Sequence, residues 1–529
     1  MKKPNVPESP GLSAAQRRYF YFTASITGGA IMIVEILGAK MLSPYVGTSH
    51  FVWTAQIAVA LIALAFGYYV GGRLVDKSPR VAPLYWAILV AAAYLALTVA
   101  VVEPVAYACL SVKSFALGSL LASMALYFIP LALLAMAGPF FVRMLTSQIG
   151  DVGGNMGRLT AIGTFGSFAG TILIGYVLIP FLPNSWTMYL LALLLMTIAL
   201  VHFIVWRGKR DALAPAVLLI IGTVALGYGG VRRDQFRHSR TEEKFYGNSN
   251  FGILQVLEGG ATRYYLNDYL IQNTYDPAAR QSTSLFTYML HGLPQVYVTN
   301  LQDVLCIGMG VGIAPMQFAH DGARVDVVEI NEAVVPVAQQ WFDLDPKMLN
   351  ITIGDGRQFL NDCRKKYDAV ALDAFLGDSS PSHLMTREAF TAMRRVLKPE
   401  GVLVINSFGN FNPGEDFFTT SLFKTLTNVF PSVRIHTATG GNTFYVASSR
   451  VPLEMLRTPE TSHVHPSQVS AAQMAYAGVI EPGRTYRGLV LNLENGRVLT
   501  DDFNPVDFYD AKNREKIRRN LAMSMRPAE

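Results

Sequence analysis

The sequence predicts an N-terminal α-helical transmembrane bundle followed by a C-terminal α/β Rossmann-like domain with a small β-subdomain. Three observations carry this expectation. Long apolar stretches crowd the first 230 residues, hydropathy falls after Arg240, and short apolar strands ending on acids recur from Asp303 onward. The expected layout is a cytoplasmic N-tail at 1–18, the bundle at 19–230, and a β-subdomain with a helix at 241–300. A Rossmann-like part at 301–450 and a C-terminal extension at 451–529 complete it.

The strands from Asp303 to Asp373 organise the second half. Asp303–Ile307 runs into Gly308-Met309-Gly310-Val311-Gly312, and Arg324–Glu329 ends on a carboxylate. Asn350–Ile353 ends at Gly354-Asp355-Gly356, and Tyr367–Leu372 ends at Asp373. Ligands of open parallel sheets sit at the carboxyl ends of the strands, so three successive strand-end acids point to one site. The glycine turn lets backbone approach a ligand, and Glu329 follows about twenty residues on, as a ribose diol requires. An adenosine-type ligand is expected. Without a Gly-Lys-Ser/Thr phosphate loop, S-adenosylmethionine suits the turn at least as well as a dinucleotide.

Composition bounds the rest. A chain of 529 residues can hold two or three domains, and 51% hydrophobic against 16% charged residues places much of it in lipid. The first 230 residues carry 14 Lys/Arg against 6 Asp/Glu, the remainder 30 against 32. The basic balance therefore belongs to the membrane part, where it orients helices, and no nucleic-acid partner is expected. Cys109, Cys306 and Cys363 form neither a disulfide framework nor a zinc pattern, so no metal is expected.

About seven apolar stretches are long enough to span: 19–41, 51–72, 81–102, 115–142, 159–182, 185–206 and 213–230. Gly67/Gly71 and Gly166/Gly170 repeat small residues at the spacing that lets helices approach closely. Glu35 is the acid deep in the first span, where a carboxyl is costly and faces a partner, a cavity or a pathway. Basic residues before the first span place the N-terminus in the cytoplasm. Seven crossings would leave the second half outside, yet Arg232, Arg233, Arg237 and Arg240 read as inside. One stretch, with 213–230 the shortest, is therefore expected not to cross.

Further along, Phe251–Leu257, Arg263–Leu266 and Tyr269–Gln272 predict strands around a Gly259-Gly260 turn, and 284–291 predicts a helix ending before Pro294. A fifth central strand is expected at Gly401–Asn406 after a Lys398–Gly401 turn, with late strands at 433–436 and 443–447. The loop 376–385 is placed to cover a site, and 511–521 predicts a basic helix with a solvated face.

These residues resemble a known family. Tyr246-Gly247, Asp268-xxx-Gln272, Gly308-x-Gly310-x-Gly312, Val328-Glu329-Ile330-Asn331, Gly354-Asp355-Gly356 and Tyr367–Asp373 together resemble spermidine synthases, the polyamine aminopropyltransferases, over roughly 241–450. Glu35, Pro44-Tyr45-Val46-Gly47 and Gly71–Asp76 look like the bacterial membrane-bound branch, a transporter-like half-bundle fused to a synthase domain. The resemblance implies a class I methyltransferase-like fold and a multi-pass protein of a bacterial-type inner membrane, with its catalytic domain cytoplasmic. Its substrate would be S-adenosylmethionine or decarboxylated S-adenosylmethionine, and alkyl transfer would release 5′-methylthioadenosine.

Carried over residue by residue, Asp373 takes the catalytic role. Gly308, Gly310, Gly312, Gln272, Glu329, Ile330, Asp355 and Gly356 hold the donor, and Tyr246, Asp268, Tyr288 and Asp378 stand on the acceptor side. Partners implied are a small-molecule substrate and membrane lipid, and a homodimer is left open.

The departures concern the amines. Val311 replaces the acid that holds the donor's propyl ammonium, and Asp373-Ala374-Phe375-Leu376 lacks the second acid of Asp-x-x-Asp. Phe286 replaces a tyrosine, and another tyrosine is missing near Thr437–Gly440. A polyamine needs carboxylates at both ends, so the acceptor site is expected to be degenerate. Acceptor-free cyclisation of intact S-adenosylmethionine, methyl transfer, and a non-catalytic nucleoside-sensing transporter remain alternatives.

Overall fold

The computed structural model describes residues 12–46, 50–110, 112, 115–146, 151–206, 222, 241–375, 381–438, 441–483, 486–509, 513 and 516. The chain divides into two compact units, Met1–Phe236 and Arg237–Glu529.

Among its described residues, the first unit has six helices long and apolar enough to cross a membrane. They are Ala14–Val46, Val52–Lys77, Ala82–Cys109, Ala116–Leu145, Val152–Phe181 and Asn184–Trp206. The stretch 213–230 lies outside the described residues except for Gly222. The glycine spacing has a direct packing cause. A Cβ on Gly166 would lie 2.0 Å from the Ser25 carbonyl oxygen, and one on Gly170 would lie 2.6 Å from that of Gly29. Ser167 Oγ also donates to the Gly28 carbonyl at 3.0 Å, so the first and fifth helices meet backbone to backbone. Gly67 plays the same part on the second helix, where a Cβ would lie 2.2 Å from the Ala132 carbonyl.

The fourth and fifth helices each contain a five-residue π-helical segment, Met124–Phe128 and Ile174–Leu178. Pro130 and Pro180 follow two residues later. A proline lacks the N–H of its turn and pushes against the carbonyl four residues back, which opens the helix there. Glu35 is half-buried on the first helix.

The second unit begins with a five-stranded antiparallel sheet in sequential order. Its strands are β1 (Glu242–Ser249), β2 (Gly252–Gly259), β3 (Thr262–Asn267), β4 (Leu270–Asp276) and β5 (Gln281–Ser282). The helix Leu285–Tyr297 follows and runs through Pro294, where the sequence predicts a stop. It persists because its apolar face, including Tyr288, Met289, Leu293 and Tyr297, is buried, and burial outweighs one lost helical bond.

The main sheet contains β6 (Asp303–Ile307), β7 (Arg324–Glu329), β8 (Asn350–Ile353), β9 (Tyr367–Leu372), β10 (Leu397–Phe408), β11 (Ser432–Thr437), β12 (Asn442–Ser448) and β13 (Val479–Ile480). Their order is β13-β11-β12-β10-β9-β6-β7-β8. The run from β8 to β10 is parallel, and β12, β11 and β13 add antiparallel edges. Cores fill both faces, which is why β6, β9 and β10 read as continuous apolar runs. The order in which successive strands are added reverses between β6 and β9, which remain parallel, and this is the place where an open α/β sheet leaves a crevice.

One strand expectation needs correction, and one strand, β1, is not expected from the sequence. β10 starts at Leu397, so the predicted Lys398–Gly401 turn lies within it, as a register shift between Leu397 and Val402 that accommodates Pro399. β1 forms although its Glu/Lys-rich start carries no strand pattern, because its partner β2 is almost wholly buried. The predicted basic helix at 511–521 lies outside the described residues, apart from Asn513 and Lys516.

Candidate active site

A cavity of about 490 Å³ opens at the carboxyl ends of β6, β7, β8 and β9. The strands deliver its polar wall directly. Gly308 N donates to the Val328 carbonyl at 2.8 Å, and Asp373 N to the Ile307 carbonyl at 2.9 Å, so the ladder continues past the strand ends. Gly308 and Gly310 have φ of 86° and 54°, and a Cβ on Gly308 would lie 2.4 Å from the Asp373 carbonyl oxygen. Glycine is required there by both conformation and space.

Glu329 stands on the β7 end. Its Oε2 accepts the Met309 N–H at 2.9 Å and its Oε1 accepts the Asn331 N–H at 2.8 Å. Burial pushes its carboxyl above the usual range, against the pull of these N–H groups. Asp355 caps the helix Gly356–Asp362 by accepting the Gln358 N–H at 2.9 Å, while His383 Nε2 lies 2.9 Å from its other oxygen. Desolvation raises the Asp355 carboxyl, but the Gln358 N–H and His383 outweigh it and hold it below the usual range.

Asp373 follows β9 and lines the cavity. Asn406 Nδ2 donates to its Oδ1 at 2.8 Å, and Asn406 Oδ1 accepts from Asn442 Nδ2 at 2.8 Å. Desolvation pushes the Asp373 carboxyl up to about 7; the Asn406 bond pulls it down and the Glu329 charge adds to the rise. A carboxyl poised there can hold or release a proton near neutral pH.

Gly308, Gly310, Gln272, Glu329, Ile330, Asp355, Gly356 and Asp373 all line the cavity. Gly312 does not: it takes φ of 83° at the start of the helix Ile313–His320, and a Cβ there would meet Leu344. Val311 is buried in the core. Tyr288 is also buried, its hydroxyl donating to the Ser282 carbonyl at 2.6 Å. Asp268 braces the β3–β4 turn by accepting the Ile253 N–H at 2.9 Å, and Tyr246 lies in β1 opposite Gln255. None of these three acceptor-side candidates lines the cavity, and Asp378 lies outside the described residues.

Asn406, Asn442, Asn273, Phe251, Phe408 and His383 line the cavity without having been singled out in the sequence. Asn406 carried a usable signal, since it ends the predicted fifth strand as the three acids end theirs.

Residues 284–443 match the spermine/spermidine synthase domain family. A probable polyamine aminopropyl transferase of Bifidobacterium longum is 26% identical over 253 residues, covering 46% of this chain. The chain spans about half of that relative's length, 54%. A polyamine aminopropyltransferase of Oceanobacillus iheyensis is 25% identical over 387 residues, 66% of this chain and 72% of its own length. That match is longer than the second unit, so it reaches into the helical first unit. Among solved structures, spermidine synthase from Thermotoga maritima is similar at 19% identity, covering 46% of this chain and 86% of its own, with a TM-score of 0.39.

The second unit is an α/β unit whose residues 284–443 are similar to the spermine/spermidine synthase domain family. In sequence this matching region follows the six long apolar helices described in the first unit.

Proposed function

We propose that this protein is a membrane-anchored transferase. Its second unit binds S-adenosylmethionine or decarboxylated S-adenosylmethionine and transfers the alkyl arm from sulfur to an amine, releasing 5′-methylthioadenosine. The observation that carries this reading is Asp373, a carboxyl pushed up to about 7 on the wall of a cavity whose other strand ends offer Gly308, Glu329 and Asp355. The relatives' names, polyamine aminopropyltransferases, support the reaction class.

Each residue's task follows from its chemistry. Glu329 still has lone pairs free beyond its two backbone bonds and receives the ribose hydroxyls. Asp355 and Gly356 meet the adenine edge, with Ile330 and Gln272 bounding the nucleoside. The acceptor arrives as an ammonium and must lose a proton before its nitrogen can attack, and Asp373 takes that proton. The C–S bond then breaks with its electron pair passing to the sulfonium, a leaving group already activated, so positioning supplies most of the remaining rate. The helical unit serves as the anchor in a bacterial-type inner membrane, with the catalytic unit on the cytoplasmic side.

The test is to give the detergent-purified full chain intact or decarboxylated S-adenosylmethionine, with and without amines, and to identify the nucleoside product. 5′-Methylthioadenosine supports the reading, whereas S-adenosylhomocysteine would replace it with methyl transfer. Bound donor with no product would leave a nucleoside sensor.

A further inference from the structure

The cavity's charge distribution bears on the acceptor. Its lining includes three acids, Glu329, Asp355 and Asp373, and neither lysine nor arginine among the described residues. Two of the acids are engaged: Glu329 accepts two backbone N–H groups, and Asp355 caps a helix and pairs with His383. With Glu329 assigned to the ribose and Asp355 to its helix cap and His383, Asp373, which accepts one bond from Asn406, is the lining acid among the described residues left to meet a cation on the amine side.

What surrounds Asp373 is set by strand register. β9 and β10 run parallel with Leu372 opposite Ile405, so the next positions bring Asp373 beside Asn406. Two residues further on, Phe375 and Phe408 meet edge to face, ring centroids 5.2 Å apart. Phe251 and Phe286 line the same cavity, whose other polar lining among the described residues is amides such as Asn273 and Asn442, hydroxyls such as Ser284 and Thr283, and His383, none of them an acid. An aromatic wall with one carboxylate fits a molecule with one ammonium and an apolar body. A second ammonium would be desolvated against phenylalanines without a counter-charge.

Resting on the alkyl-transfer reading above, we propose that the acceptor is a monoamine with an apolar body, of ring or short-chain size, and not a diamine. Its nitrogen loses a proton to Asp373 and bonds to the arm's carbon next to sulfur. That carbon's bond to sulfur breaks, and neutral 5′-methylthioadenosine leaves. The proton on Asp373 returns to solvent.

The experiment offers the full chain 2-phenylethylamine, hexylamine or putrescine with each donor and measures alkylated amine and 5′-methylthioadenosine. The expected result is a kcat/KM for the two monoamines at least ~10-fold above that for putrescine, in line with an unpaired buried charge. Phe408→Asp should narrow or reverse that ratio by adding a carboxylate to the wall. Putrescine preferred by the unaltered protein overturns the monoamine inference while leaving alkyl transfer intact. Loss of that preference in Asp378→Asn would then show which acid holds the second ammonium. Absence of 5′-methylthioadenosine with every amine, while the donor binds, overturns the alkyl-transfer reading and the inference with it.

Discussion

Asn406 holds Asp373 from the neighbouring strand: its side-chain amide donates to the carboxylate at 2.8 Å while accepting from Asn442 on the other side. Asn406 is itself buried, so the amide has little freedom to turn away. The pair fixes both the direction and the proton affinity of the one carboxylate assigned to the reacting amine.

Removing Asn406 should therefore move a pH profile. The amide stabilises the ionised form, so Asn406→Ala raises the Asp373 pKa above about 7. Product formation needs the carboxylate and rises with pH through that value, so the rise should shift upward. A hydrogen bond of ordinary strength corresponds to about 0.5–1 pH unit. A profile of kcat/KM against pH that does not move would remove Asn406 from the proton-handling role.

Asp373→Asn keeps the shape of the side chain and removes the base. Turnover should fall by about 10²–10⁴-fold. Donor affinity, read by calorimetry, should change little. Unchanged turnover would mean that another group accepts the proton.

Glu329→Ala removes the acceptor of two backbone N–H groups and the proposed ribose contact together. Nucleoside affinity should weaken by roughly 10–100-fold, the range expected for hydrogen bonds to a charged group. Glu329→Gln, which keeps an oxygen for one N–H, should show a smaller loss of thermal stability than the alanine. Equal stability in the two variants would separate the backbone contacts from folding.

Acid should destabilise the second unit through His436. This buried imidazole is shifted down to about 4 by desolvation, and its ring nitrogens face the Tyr297 hydroxyl and the Ala475 carbonyl. Its folded value lies below the unfolded one, so its contribution is complete above the unfolded value near 6.5 and is lost as pH falls toward 4. That loss amounts to about 3 kcal/mol. Denaturant melts of the unaltered protein and of His436→Gln between these pH values should converge on the acid side, and parallel curves would contradict this.

In the bundle, Gly166→Leu or Gly170→Leu should lower thermal stability in detergent, because neither helix backbone can yield the space. Overpacking of this kind costs about 1–3 kcal/mol. The same change at Gly175, where nothing lies within 4 Å of a Cβ, should be tolerated.

The parts legible in sequence were those governed by local pattern. Apolar runs of spanning length located six described helices, and β6 through β9 appeared at their observed bounds, β6 and β9 because both their faces are buried and β7 and β8 because each ends at an acid or a glycine turn. Strand-end acids located one wall of the cavity for the same reason: they end neighbouring strands. What escaped the sequence depends on pairing across the sheet. Asn406 and Phe408 matter through their register against Asp373 and Phe375, on a strand some thirty residues earlier. The placement of Tyr288 and Asp268 away from the cavity was equally hidden, since the side-chain directions come from packing and from a turn. The helix through Pro294 shows tertiary burial overriding a local stop.

The measurement closest to the central claim is a single-turnover reaction of the detergent-purified full chain with donor and a monoamine, counting nucleoside and amine products together. Alkyl transfer predicts equimolar 5′-methylthioadenosine and alkylated amine, both lost in Asp373→Asn. 5′-Methylthioadenosine without any alkylated amine would contradict transfer and establish cyclisation of the donor's own arm.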